Sequence, residues 1–101
     1  MEKSLSPKEK EVLGKLREVV DPEFGFSIAD RGLLDEVKVE GKTVRVTYHL
    51  TVPFCPPVFA VHIGREIRKK AKEIEGIERV EVKVKDHVQA DAINKILERE
   101  K

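Results

Sequence analysis

The side chain best suited to chemistry is the thiol of Cys55, the only cysteine, in Thr51-Val52-Pro53-Phe54-Cys55-Pro56-Pro57, where a strand-like run gives way to a helix-like one. Proline at the first turn of a helix forfeits no hydrogen bond, so Pro56-Pro57 reads as a rigid helix start. The sulfur then sits just ahead of a helix N-terminus, whose partial positive charge favours thiolate and makes a cysteine nucleophilic or metal-binding. The plain alternative is that a lone cysteine is a small buried hydrophobe.

Thr51 and the carboxylates Asp21, Glu23 and Asp30 would surround that thiolate if the segment carrying them folds back over the strand end. Each carboxylate reads equally well as a helix-end or turn residue bonding nearby backbone N–H groups. A thiolate near carboxylates suits iron or zinc as a mixed sulfur and oxygen site, since carboxylate, imidazole and thiolate all bind such ions. A closed structural zinc site is excluded, because the chain has neither C-x-x-C nor a second cysteine. An all-cysteine iron–sulfur cluster is likewise impossible within one chain. The alternative chemistry is a cysteine nucleophile activated by histidine. Of His49, His62 and His87, His49 is best placed, two residues before Thr51 on the polar face of a strand. His62 falls on the following helix, and His87 reads as structural.

The elements that must position these groups follow from periodicity. Ser6-Pro7-Lys8-Glu9 has the form of a capping box, and Val12, Leu13, Leu16, Val19 and Val20 recur at helical spacing, which predicts a helix over Pro7 to Val20. Asp21-Pro22 ends it. Residues 21–32 are rich in turn formers and too irregular for a regular element, and a loop of that length in a small domain points to binding or catalysis. Gly32 marks a positive φ or close packing. Leu34 to Val39 and Thr43 to Leu50 form a hairpin about Glu40-Gly41-Lys42, with Val44, Val46, Tyr48 and Leu50 on one face. A second helix runs from Pro57 to Glu75 on Phe59, Ile63, Ile67, Ala71 and Ile74, with Gly76 as its stop and a solvated basic run. A third strand spans Ile77 to Lys85, and a last helix spans Ala90 to Glu100 with Ile93, Ile96 and Leu97 inward. The order helix-hairpin-helix-strand-helix makes an α+β two-layer sandwich on a small, mostly antiparallel sheet, in which the crossover through the second helix permits one parallel pair.

The 101 residues suit one domain, residues 1–101, and the 20 basic against 19 acidic side chains argue against nucleic acid. The chain has no apolar run long enough for a membrane and no internal cysteine pair, which predicts a cytoplasmic protein. Charged residues make up 39% of it and Gln89 and Asn94 are its only side-chain amides, a composition found in proteins from hot environments.

Three segments carry a resemblance. Asp21-Pro22-Glu23, Ser27-Ile28-Ala29-Asp30-Arg31-Gly32-Leu33-Leu34 and Leu50-Thr51-Val52-Pro53-Phe54-Cys55-Pro56 resemble, in order and spacing, the D-P-E, S/D-I-x-D-L-G-L-V and L-T-x-P-x-C-P segments of the SufT/PaaD-like iron–sulfur assembly factors. The fold of that family is related to the NifU-type iron–sulfur cluster assembly domain. The resemblance implies a non-enzymatic carrier or adaptor that matures iron–sulfur proteins, with Cys55 as functional thiol and Asp21, Glu23, Asp30 and Thr51 shaping its surroundings. It implies transient binding of iron or a cluster, with assembly machinery and client apoproteins as partners. Because one thiol cannot enclose a cluster, a homodimer is the corresponding expectation. Arg31 departs from the family's apolar residue, His49 from a small polar one, and Asp86-His87 leads into a helical tail in place of the usual proline- and tryptophan-containing one. A small thiol enzyme and a plain interaction domain are the alternative readings.

Overall fold

The computed structural model describes residues 6–21, 25–50 and 57–99. Helix α1 (Pro7–Leu16) opens with the expected capping box: the Glu9 N–H donates to Ser6 Oγ at 3.2 Å and the Ser6 N–H to Glu9 Oε1 at 2.9 Å. Glu9 does more than cap, since its other oxygen accepts the Val39 N–H at 2.8 Å and ties the helix start to the sheet. The helix ends at Leu16, short of the expected Val20. Val19 accepts from the Ile28 N–H at 3.0 Å, and Val20 pairs with Ser27 in an antiparallel bridge. Pairing with 27–28 therefore takes these two valines out of the helical pattern, leaving Val19 buried and Val20 exposed.

Strands β1 (Leu34–Glu40) and β2 (Thr43–Tyr48) form the hairpin, and β2 continues through helix α2 (Pro57–Lys72) into strand β3 (Arg79–Val84). The sheet order is β1-β2-β3, antiparallel between β1 and β2 and parallel between β2 and β3. The sheet is thus evenly mixed, with the crossover through α2 supplying the parallel pair. Val44, Val46 and Tyr48 alternate into the core, as a sheet covered on one side requires. Helix α2 ends at Lys72, short of the expected Glu75, and Gly76, at φ 89°, lies in the turn that follows it.

Helix α3 (Ala90–Arg99) packs on β3 and α2. Ile93 and Leu97 are fully buried, whereas Ile96, expected inward, is 39% exposed because the buried stripe passes through Ile93, Asn94 and Leu97 instead. Both edges of the sheet carry side-chain partners, as unpaired edges invite aggregation. On β3, the Val84 N–H donates to Asn94 Oδ1 at 2.8 Å while Asn94 Nδ2 donates back to the Val84 carbonyl at 3.1 Å. Buried Arg68 donates to the Leu97 carbonyl at 2.7 Å and, more loosely, to that of Val80 at 3.4 Å. Glu9 does the equivalent for β1.

A glycine in mid-helix costs about 1 kcal/mol relative to alanine, yet α2 carries Gly64 at its closest approach to its neighbours. A Cβ there would lie 2.7 Å from Leu97 Cδ1 and 3.0 Å from the Tyr48 hydroxyl. Overpacking costs about 1–3 kcal/mol, which offsets or exceeds the propensity gain, so Gly64→Ala is expected to lower stability by a net of about 0–2 kcal/mol in urea unfolding. The two N–H donors on Glu9 hold its carboxyl below the usual carboxylate range. Its contribution is therefore complete above about pH 4 and is lost as pH falls through the lowered folded value. Glu9→Gln is expected to flatten the acid side of the stability profile, measured by denaturation from neutral to acid pH.

Candidate functional site

Leu50 is buried at the end of the β2 segment and Pro57 is the first residue of α2, so the sequence reading of a strand-to-helix junction around Cys55 is right about both flanks. Thr51 and Cys55 themselves lie outside the described residues, as does Glu23. The junction is tethered from below: the Tyr48 hydroxyl donates to the Ala60 carbonyl in the first turn of α2. Burial pushes the Tyr48 hydroxyl far above the ordinary tyrosine value, so it stays a donor across the working pH range. The 16-residue helix has no acidic residue in its first turn, so none of its own first-turn side chains offsets the positive end of its dipole.

The second arm is the segment after α1. The Asp21 N–H donates to the Phe26 carbonyl at 2.8 Å and the Asp21 carbonyl accepts from Gly25 at 2.8 Å, closing a narrow ribbon with the Val20–Ser27 bridge. Asp21 is buried and Asp30 is exposed. Asp30 stands in the turns closed by the Arg31 N–H to Ser27 and the Gly32 N–H to Ala29, which makes it a turn residue in the described geometry. Arg31, the departure from the resembled motif, lies over the exposed Phe26 ring at 4.6 Å. The ribbon reaches the same end of the sheet as the junction, because the Leu33 N–H bonds to Ile28 at 3.0 Å and the His49 N–H to Leu33 at 2.9 Å.

One cluster at that end was only partly legible in sequence. His49 Nδ1 lies 2.7 Å from Asp35 Oδ2, and Lys85 Nζ lies 3.6 Å from Asp35 Oδ1, so all three strand ends contribute. Asp35 is the extra residue of a β-bulge: Leu34 pairs with Tyr48 but Glu36 with Thr47. The three-residue spacing of the buried Leu34 and Val37, where a regular strand has two, was the available signal. His62 is exposed on α2. His87 is buried and accepts the Gln89 N–H through Nδ1 at 2.9 Å beside the start of α3, the structural role expected of it. Among the described residues no group of three or more His, Cys, Asp or Glu side chains is arranged to hold a metal.

The profile of a family described as iron–sulfur cluster assembly protein matches residues 9–84, which span the ribbon, the strand-to-helix junction and all three strands. The chain belongs to this family. The chain is similar to an uncharacterised protein of Methanocaldococcus jannaschii, 36% identical over 89 residues that cover 87% of this chain and 92% of that protein. An iron–sulfur cluster carrier protein of Synechocystis is 40% identical over 73 residues, which cover 72% of this chain but 20% of the carrier. The fold is similar to that of a domain of unknown function from Bacillus anthracis, whose crystal structure matches with a TM-score of 0.72 at 22% identity over 99% of this chain and 96% of that one. Among the described residues no helix is long and apolar enough to cross a membrane.

The Tyr48–Ala60 tether gives a direct test of how the junction is held. A buried hydrogen bond contributes about 0.5–1.5 kcal/mol, so Tyr48→Phe is expected to lower global stability by about that much. Hydrogen exchange should quicken in the first turn of α2 more than in the strands.

Proposed function

We propose that this assembly-family protein is a non-enzymatic carrier or adaptor whose Cys55 transiently binds iron or an iron–sulfur cluster, or engages a cluster-bearing partner. The observation that carries the proposal is the family match across residues 9–84, which includes Cys55 and both elements that flank it. The physical support is the long helix that starts two residues after Cys55 in sequence and has no acidic residue in its first turn, a setting that favours thiolate. Asp21, Glu23, Asp30 and Thr51 are assigned to shaping that environment, Asp21 by closing the ribbon from a buried position and Asp30 through its turn. A thiolate with oxygen or nitrogen neighbours fits iron as cargo. We assign residues 1–101 to one assembly unit working in the cytoplasm.

Assembly machinery and client apoproteins are the proposed partners. The Synechocystis carrier supports this, since there the matching stretch is one-fifth of a longer carrier chain. Because an all-thiolate cluster takes four cysteines, loaded protein is proposed to pair with a second copy or with a partner.

Anaerobic reconstitution with iron and sulfide tests the central claim. The wild type is expected to take up both elements in matched amounts with a visible charge-transfer spectrum, and Cys55→Ala to lose most of both. Equal uptake by the two proteins would remove Cys55 from the site.

A further inference from the structure

The open face of the sheet, turned away from the helices, holds His49, Asp35 and Lys85 at the end where β2 leads toward Cys55. We propose that His49 is an imidazole donor to the metal cargo, presented through Nε2 and oriented by Asp35. The identity of that cargo as iron rests on the carrier reading above; the donor role rests on the geometry of the cluster.

A carboxylate accepts hydrogen bonds and does not donate them, so the 2.7 Å contact places the proton of neutral His49 on Nδ1. The lone pair is then on Nε2, on a ring whose side chain is 31% exposed. Metal-ligating histidines characteristically hand their other N–H to a carboxylate, which fixes the tautomer and raises the basicity of the ligating nitrogen. The arrangement is built from separate parts of the chain. Asp35 is turned to the ring by the bulge in β1, while β3 brings Lys85 to its second oxygen in the register that sets Tyr48 against Val84.

The other two histidines sharpen the assignment. His87 is buried and uses Nδ1 to accept a backbone N–H. His62 is exposed on α2 with no carboxylate partner among the described residues. Only His49 combines a fixed ring with an accessible nitrogen. Its place in the chain matters as well, because it stands six residues before Cys55 on the strand that leads there. One thiolate per chain leaves a cluster short of ligands, and imidazole can replace thiolate on cluster iron. Lys85 works against a cation, and this gives the proposal a sign: by neutralising Asp35 it weakens the carboxylate's support of the imidazole, so its removal should tighten binding.

The test uses zinc alone as probe on the full chain carrying Cys55→Ala, with imidazole nitrogens followed by long-range proton–nitrogen NMR. Before zinc, His49 is expected as the Nδ1–H tautomer. On titration its Nε2 resonance should move at zinc concentrations that leave His62 and His87 unchanged. Asp35→Asn should weaken the apparent affinity by about 10- to 100-fold, Lys85→Gln should strengthen it, and His49→Ala should abolish the response. If Asp35→Asn fails to fold, Asp35→Glu keeps the carboxylate and should retain most of the affinity. A His49 resonance that stays in place, or that moves together with exposed His62, overturns the proposal. Because this readout lacks the thiol, its failure is distinct from failure of iron and sulfide uptake by the wild type. In reconstituted wild type labelled with nitrogen-15 histidine, a cluster without nitrogen hyperfine coupling would also overturn it.

Discussion

Parallel pairing of β2 with β3 is the constraint on which the site depends. A parallel pair joined by one helix brings the two strand ends and the helix start to the same end of the molecule. The consequence here is that the end of β2 at Tyr48, the start of α2, Lys85 and, through the antiparallel hairpin, Leu33 to Asp35 converge at one end of the sheet. The ribbon after α1 is bound to that end by the hydrogen bonds through Ile28 and Leu33. An all-antiparallel meander of the same strands would have sent β3's other end there and separated Lys85 from Asp35.

That pairing holds because the crossover helix lies close against the strands. Gly64 lets the α2 backbone approach Leu97 and the Tyr48 ring, and the Tyr48 hydroxyl is bonded to α2 at Ala60. The last turn of α3 is secured to α2 by Arg68 through the Leu97 carbonyl. These contacts put polar groups in a largely apolar interior, where a satisfied hydrogen bond fixes geometry that apolar packing alone leaves loose. Of these contacts, the Tyr48 hydrogen bond joins the end of β2 to the first turn of α2. Surface pairs such as Lys15–Glu73, at 3.0 Å, join α1 to the region after α2 but add little in water.

The family and the geometry around it divide the functional question in two. Membership in the iron–sulfur cluster assembly family follows from a match over most of the chain. At the two positions where the sequence departs from the resembled motifs, the His49 ring lies 2.7 Å from the Asp35 carboxylate and the Arg31 guanidinium lies 4.6 Å from the Phe26 ring centre. Both departures lie in or beside the motifs that carry the resemblance, and the described fold accommodates both.

Periodicity and turn chemistry read from the sequence alone determined the six elements, the capping box at Ser6, the α+β layering and the strand-to-helix junction at Cys55. They did so because burial of one face imposes a local period of two or of 3.6 whatever the element packs against. The three motif segments carried the family for the same kind of reason, as each is a short run of residue types in fixed order. Tertiary structure alone decided where α1 stops, since Val19 and Val20 keep helical spacing yet pair with Ser27 and Ile28. It decided that Ile96 faces outward, that Asn94 and Arg68 close the β3 edge, and that Asp35, His49 and Lys85 meet. None of these has a local signature, because each depends on which distant backbone group or charge is brought alongside, and that is set by strand order and register.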